Sequence, residues 1–398
     1  LKNNNYFYNF ICILVIANYL FFLMNFILNS KSDNEQNILS INYNKIQKNS
    51  EKNIDIYFII LDGMTSLDYA EEKNIIKNKN KYIRKFEKLG AKYISNAFSN
   101  YPTSHISIQS ILNFDYVVTE KSEKYFSYKN FFPNSLLNNY EVLPLTIFNN
   151  YSDRQFYWTG NKYRYCKSNA YAPKMCGGKE NKFVHFFTSL ELFYKENLLD
   201  FAMRRITPIF IKKHEIQSTF EIIKDGRMKF FKNIDFNQKN FFFMHLLKPH
   251  EPFDVNEKCE KSNLNSISYN YEKNYKCVLL LVEKFLKNIN NFSKKEKIVI
   301  FVGDHGLPLN ENKNEIKINN KNEISKKYKV ERSKIFTLMY YPEYCNKDLR
   351  YLKSLINITR FALNCANDSN LKYLDNKYYF TYYENHKNWG KVEFIFQK

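Results

Sequence analysis

Several short stretches of this 398-residue chain carry side chains that together could hold a metal ion and activate a nucleophile. Asp62 ends the apolar run that begins at Ile54, and Gly63 follows it. Asp304 and His305 stand inside Gly303-Asp304-His305-Gly306, directly after the run Ile298–Val302. His245 lies near the end of Asn240–Leu247, and His250 follows in a loop between Pro249 and Pro252. Thr103 and Ser104 come after Pro102, ahead of Ile108, Ile111 and Leu112 at helical spacing. Carboxylate and imidazole donors suit Zn²⁺, or Mn²⁺. A hydroxyl bound to such an ion loses its proton near neutral pH, and the ion also neutralises charge on a phosphoryl group. Taken singly, each stretch has an ordinary structural reading: an Asp-Gly turn, a core histidine, a Ser/Thr helix cap. The chemistry needs a fold that brings them together.

The runs 54–61, 240–247 and 298–302 are apolar, rich in β-branched and aromatic residues, and bounded by turn signals. They read as strands buried on both faces of a parallel sheet. In open α/β sheets, ligands bind beyond the carboxyl ends of strands, where these residues stand. Pro102-Thr103-Ser104 reads as a helix start, and a hydroxyl there has free backbone N–H groups and the positive dipole end beside it. Further helices are expected at 68–89 (broken near Asn78), 219–234, 268–292 and 348–363, and further strands at 91–98, 334–340, 378–383 and 391–396. A short helix at 135–140 and a strand at 141–148 are also expected. Residues 149–213 read as an irregular insertion with a short helix near 189–201, and 309–327 as a polar exposed loop. Strands alternating with helices from residue 54 to about 365 predict an α/β fold, a mostly parallel sheet with helices on both faces.

The segment Asn3–Ser30 holds no charged residue, and Phe7–Leu28 is long enough to cross a bilayer as a helix. We expect residues 1–30 to be a transmembrane helix, the end of a larger membrane region, followed by a linker at 31–53 and a catalytic domain at 54–398. The net charge of +20 is scattered rather than set in a stripe, and no nucleic-acid motif accompanies it. An anionic membrane surface suits that charge better than a nucleic acid. Apart from Cys12, the cysteines fall into pairs close in sequence, Cys166/Cys176, Cys259/Cys277 and Cys345/Cys365. Pairing in an oxidising compartment fits a domain facing the periplasm or the cell exterior, although six cysteines allow many connectivities. No Walker or Rossmann glycine loop and no G-x-S-x-G occurs, which excludes the common nucleotide-binding and α/β-hydrolase patterns.

The ordered set Asp62-Gly63, Asn-Tyr-Pro-Thr-Ser-x-x-Ser at 100–107, His-x-x-x-x-His-x-Pro-Phe at 245–253 and Gly-Asp-His-Gly at 303–306 resembles the alkaline phosphatase superfamily. Within it, the match is to the membrane-anchored sulfatase-like branch, which includes lipid A phosphoethanolamine transferases and lipoteichoic acid synthases. The resemblance covers roughly residues 54–345. It implies a metal held by Asp62, the nucleophile, Asp304 and His305. His250 would bind a second metal or the substrate's phosphate, and His245 would support it. In related members the nucleophile stands three residues before a Ser and nine before a small or Asn residue. Ser107 and Asn113 both point back to Ser104, while Thr103 requires a one-residue slip. Most of the branch uses Thr, so Ser104 is a departure that the alkaline phosphatases share.

The Cys-x-Pro-Ser-Arg signature of formylglycine sulfatases is absent, and no histidine follows between 306 and 385 where phosphoethanolamine transferases carry one. The resemblance implies transfer of a phosphorylated head group from a membrane lipid to a surface glycan or lipid through a covalent Ser104 intermediate. Hydrolysis of sulfate or phosphate esters, and an inactive envelope binding protein, are the alternative readings.

Overall fold

The computed structural model describes residues 52–119, 126–127, 153–160, 219–224, 231, 234–262, 267–307, 324–345, 351–383 and 388–397. All of them belong to one compact unit, Tyr43–Lys398. The expected span at 1–30, the elements at 135–148, the short helix near 189–201 and the pair Cys166/Cys176 lie outside the described residues. Among the described residues, no helix is long and apolar enough to cross a membrane.

Three strands form the middle of the sheet: β1 (Asp55–Leu61), β5 (Asn240–Leu246) and β6 (Lys297–Gly303). All are buried along their whole length. Their alternating side chains divide the core in two. Tyr57, Ile59, Leu61, Phe242, Met244, Val299 and Phe301 enter one cluster. Ile56, Phe58, Ile60, Phe241, Phe243, Ile298, Ile300 and Val302 enter the other. Continuous apolar runs are therefore required, because neither face meets water. The six-stranded sheet runs β2–β7–β6–β1–β5–β4, with β2 (Lys92–Tyr93), β4 (Gln155–Gly160) and β7 (Thr337–Tyr340) completing it. The pairs β4/β5, β5/β1 and β1/β6 are parallel. The pairs β6/β7 and β2/β7 are antiparallel. A second sheet, β3 (Phe126–Ser127), β8 (Lys377–Tyr383) and β9 (Asn388–Gln397), is antiparallel.

Helices cover both faces, as the alternation of elements requires. On one side, Phe86 of α2 (Lys79–Glu87), Ile223 of α4 (Thr219–Lys224) and Tyr275, Leu281 and Phe285 of α5 (Ile267–Phe292) join the first cluster. On the other, Ile108, Ile111 and Leu112 of α3 (Ser104–Asn113) and Leu355, Ile358 and Phe361 of α7 (Leu355–Asn367) join the second. A short α1 (Leu67–Glu72) precedes α2, and α6 (Lys326–Ser333) precedes β7. The break expected near Asn78 is where Asn78 caps α2 through its side chain.

Several expectations are corrected. The strand β4 lies inside the stretch read as irregular, because Gln-Phe-Tyr-Trp-Thr-Gly sits among so many aromatic residues that its alternation is hidden. The helix expected at 348–363 runs instead from Leu355, where the Ser354 side chain caps it, to Asn367. The strand expected from Lys334 begins at Thr337. The loop expected to reach Lys327 gives way to α6 at Lys326, capped by Ser325. Of the cysteine pairs, Cys259–Cys277 and Cys345–Cys365 are bonded. The first ties the loop after β5 to α5.

Gly303 is fixed by close packing at the end of β6. A Cβ built there would stand 2.3 Å from the Met64 carbonyl oxygen. Backbone cannot yield cheaply at a strand end hydrogen-bonded on both sides, since Gly303 N–H donates to Phe336 O. The variant G303A is expected to lose at least about 2 kcal/mol of stability through overpacking. Urea unfolding of both proteins measures it; equal midpoints would show that the Met64 segment moves aside freely.

Candidate metal centre

The register of the three middle strands assembles the site. Leu61 pairs with Gly303 and with Leu246, and Ile60 pairs with His245. Asp62 and Asp304 are therefore the next residues on neighbouring strands. Extending the period-two alternation by one step puts Asp62 and Asp304 on the face of Ile60 and Val302, the face that α3 covers. His245 shares it with Phe243. Helix α3 begins at Ser104, after Thr103 in extended conformation, and it ends where Phe114 adopts a left-handed conformation. Its first turn is tied to the strand end. Ser107 Oγ lies 3.0 Å from Ser99 Oγ, which donates to Asp304 O at 2.6 Å.

Asp62, Asp304 and His305 are all buried, and one donor atom from each lies within 4.8 Å of the others. Each carboxylate has one oxygen bound and one left over. Asp304 Oδ1 accepts from Gly63 N–H and His305 N–H, both at 3.0 Å. Asp62 Oδ2 accepts from His245 Nε2 at 3.1 Å. Asp62 Oδ1 and Asp304 Oδ2 are buried with no hydrogen-bond partner. Such oxygens are costly unless a cation meets them. His305 Nδ1 lies 3.1 Å from Gly306 O, so Nδ1–H donates there and the Nε2 lone pair points inward. That Nε2 is 3.6 Å from Asp62 Oδ1, 3.8 Å from Asp304 Oδ2 and 3.4 Å from Ser104 Oγ. Two ligands about 2.1 Å from one tetrahedral ion stand about 3.4 Å apart. The spacing, the hard oxygens and the imidazole together fit one divalent metal.

The electrostatics agree. Burial pushes the Asp62 carboxyl up, but the hydrogen bond from His245 and the electrostatic pull of His245, His250 and His305 outweigh it and hold it well below the usual carboxylate range. Burial and the Arg332 guanidinium push His305 down to about 4, against the pull of Asp304 and Asp62. The imidazole is thus neutral at ordinary pH, as a metal ligand must be.

The structure brings together Asp62, Asp304, His305, Ser104 and His245. It separates the two hydroxyls. Ser104 Oγ reaches His305, whereas Thr103 Oγ1 is buried without a hydrogen-bond partner and makes no cap bond. His250 stands beside the cluster rather than in it. Its N–H donates to Asp62 O at 3.0 Å, its Nδ1 lies 3.0 Å from Glu251 O, and its ring centre is 6.3 Å from that of His305. Sequence reasoning missed Arg332, at the end of α6. Its Nε donates to Pro102 O at 2.9 Å, two residues before Ser104.

No protein-family model and no curated protein matches the chain. Solved structures do. The chain is similar in structure to the C-terminal periplasmic domain of EcEptC from Escherichia coli, at 11% identity over 86% of this chain and 94% of that one, with a TM-score of 0.49. The same domain of the phosphoethanolamine transferase EptC from Campylobacter jejuni matches at 13% identity, 81% and 92% coverage and a TM-score of 0.45. The lipoteichoic acid synthase LtaP from Listeria monocytogenes matches at 13% identity, 81% and 76% coverage and 0.43.

A depressed His305 gives the metal-free protein a definite pH dependence. An unfolded imidazole takes up a proton near 6.5, and the folded one only near 4. Acidification through that window therefore favours the unfolded chain, and the Asp62 carboxylate adds to the loss at still lower pH. We expect the melting temperature of metal-free protein to fall between pH 6.5 and 4, and H305Q to flatten that fall. Parallel profiles for the two proteins would contradict the assignment.

Proposed function

We propose that the chain is a metal-dependent phosphotransferase that moves a phosphorylated head group from a membrane lipid to a cell-envelope acceptor through Ser104. The observation that carries this reading is that Ser104 Oγ meets His305 Nε2, which forms one buried cluster with two partnerless carboxylate oxygens. Asp62, Asp304, His305 and Ser104 would hold the ion, with zinc the first choice and manganese the second. When bound, the ion lowers the pKa of the Ser104 hydroxyl and offsets charge on the phosphoryl group.

The chain's own residues account for the rest. His245 holds Asp62 Oδ2, which would leave Oδ1 to a metal. The Gly63 and His305 N–H groups do the same for Asp304. Ser104 opens a helix, so its Oγ attacks phosphorus where backbone N–H groups and the dipole favour negative charge. In the first step a bond forms between Ser104 Oγ and phosphorus while the bond to the lipid alcohol breaks, and the alcohol leaves with the proton given up by Ser104. In the second step an acceptor hydroxyl attacks the same phosphorus, the Ser104 Oγ–phosphorus bond breaks, and the proton given up by the acceptor returns to Ser104 Oγ. His250 has Nδ1 engaged with Glu251 O, which leaves Nε2 for the phosphate or the leaving oxygen. The proposed setting is the outer side of a membrane, with residues 1–30 as the anchor. A tether raises the effective concentration of a lipid donor.

Ser104 and Thr103 are separable experimentally. The full chain in detergent, loaded with zinc, would be assayed on a phosphodiester lipid with S104A and T103A. We expect S104A to lose at least about a thousandfold in kcat. T103A should keep activity within about tenfold, since its hydroxyl meets neither His305 nor a cap partner. The reverse ranking would assign the nucleophile to Thr103. Free head group released without labelled acceptor would assign hydrolysis instead of transfer.

A further inference from the structure

The Ser104 hydroxyl and the residues that would hold the metal bring no guanidinium or ammonium to the incoming anion. Arg332 is tied to both segments that carry them. Its backbone carbonyl accepts from Gly306 N–H at 2.7 Å, which joins it to the loop of Asp304 and His305. Its Nε donates to Pro102 O at 2.9 Å, which joins it to the start of α3. Gly306 permits this approach. A Cβ there would stand 2.5 Å from Lys334 O and 2.7 Å from Glu331 O. Arg332 thus bridges the two segments that carry His305 and Ser104.

Its charge is not spent on a carboxylate among the described residues. Glu331, its neighbour in sequence, pairs with Lys73 at 3.4 Å, and Glu72 pairs with Lys334 at 3.6 Å. Arg360, by contrast, has Asp115 at 3.8 Å. A guanidinium offers five N–H donors, and the Nε bond to Pro102 uses one. Arg332 is half-buried beside the segments of His305 and Ser104. The remaining donors are available to an anionic ligand.

We propose that Arg332 binds the oxyanion of the group carried to Ser104, so that the substrate presents a tetrahedral oxyanion ester at the metal. This rests on Ser104 being the acceptor hydroxyl. The planar fork can take two oxygens of such a group at once, which an ammonium cannot. The first N–H groups of α3, ahead of the Ser107 N–H that donates to Thr103 O, add to the same positive pocket.

The test is calorimetric titration of inorganic phosphate into the full chain in detergent, with and without saturating zinc, for wild type, R332K, R332Q and S104A. Zinc is titrated separately into each. We expect R332Q to bind phosphate about tenfold or more weakly, R332K to recover only part of the loss, and zinc affinity to be unchanged in both. S104A should keep Arg332-dependent phosphate binding. Phosphate affinity equal in wild type and R332Q would overturn the proposal. So would wild type that binds zinc but no phosphate, or R332Q that loses zinc binding and cooperative unfolding together, which would make Arg332 a structural strut. Arg332-dependent phosphate binding in a protein with no Ser104-dependent transfer would leave this assignment standing and remove the transferase reading alone.

Discussion

Two buried carboxylates placed side by side are the constraint on which the rest depends. Asp62 and Asp304 leave adjacent parallel strands one step past a shared register, and each keeps one oxygen without a hydrogen bond. Like charges that close and dry repel strongly unless a cation lies between them. The protein spends its local donors on the opposite oxygens: His245 on Asp62, the Gly63 and His305 N–H groups on Asp304. What remains is a gap bounded by two oxygens, one imidazole nitrogen and one serine hydroxyl. A divalent ion is the simplest occupant of such a gap, and folding and metal binding are then linked.

The scaffold serves that gap in several ways. Strands buried on both faces give a rigid platform whose register fixes the two acids to each other. Helix α3 packs on the same face through Ile108, Ile111 and Leu112, and the Ser99–Ser107 contact ties it to the Asp304 backbone. Gly303 lets the Met64 and Ile335 segments pack closely against the end of β6, and Gly306 does the same for the end of α6. The Cys259–Cys277 bond holds the loop that follows His250 against α5.

Much of this was legible in the sequence, for a physical reason. Strands of a doubly covered parallel sheet must be apolar throughout, so 54–61, 240–247 and 298–302 stood out, and their polar termini marked the site. Pro102-Thr103-Ser104 marked the helix start. What the sequence hid has equally physical causes. Helix α6, Lys-Lys-Tyr-Lys-Val-Glu-Arg-Ser, buries little apolar surface and follows a long polar stretch, so its lysines read as loop. Arg332 was lost with it, because nothing local shows that α6 returns to the active edge. Strand β4 is hidden among aromatic residues, and the polar, charged residues ahead of Ser354 do not mark that α7 begins only at its Ser354 cap. The count back from Ser107 and Asn113 favours Ser104 over Thr103, and of the two hydroxyls it is Ser104 Oγ that lies near His305.

The central claim is that Ser104 becomes covalently bonded to phosphorus at this metal centre. Intact-mass analysis of the zinc-loaded full chain, after incubation with a bacterial lipid extract, tests it most directly. The account predicts a mass increment matching a phosphorylated head group, mapped by peptide fragmentation to Ser104 and absent without metal. A metal-loaded protein that turns over phosphodiesters with the adduct on another residue, or that never carries phosphorus on Ser104 under acid quench, would contradict it.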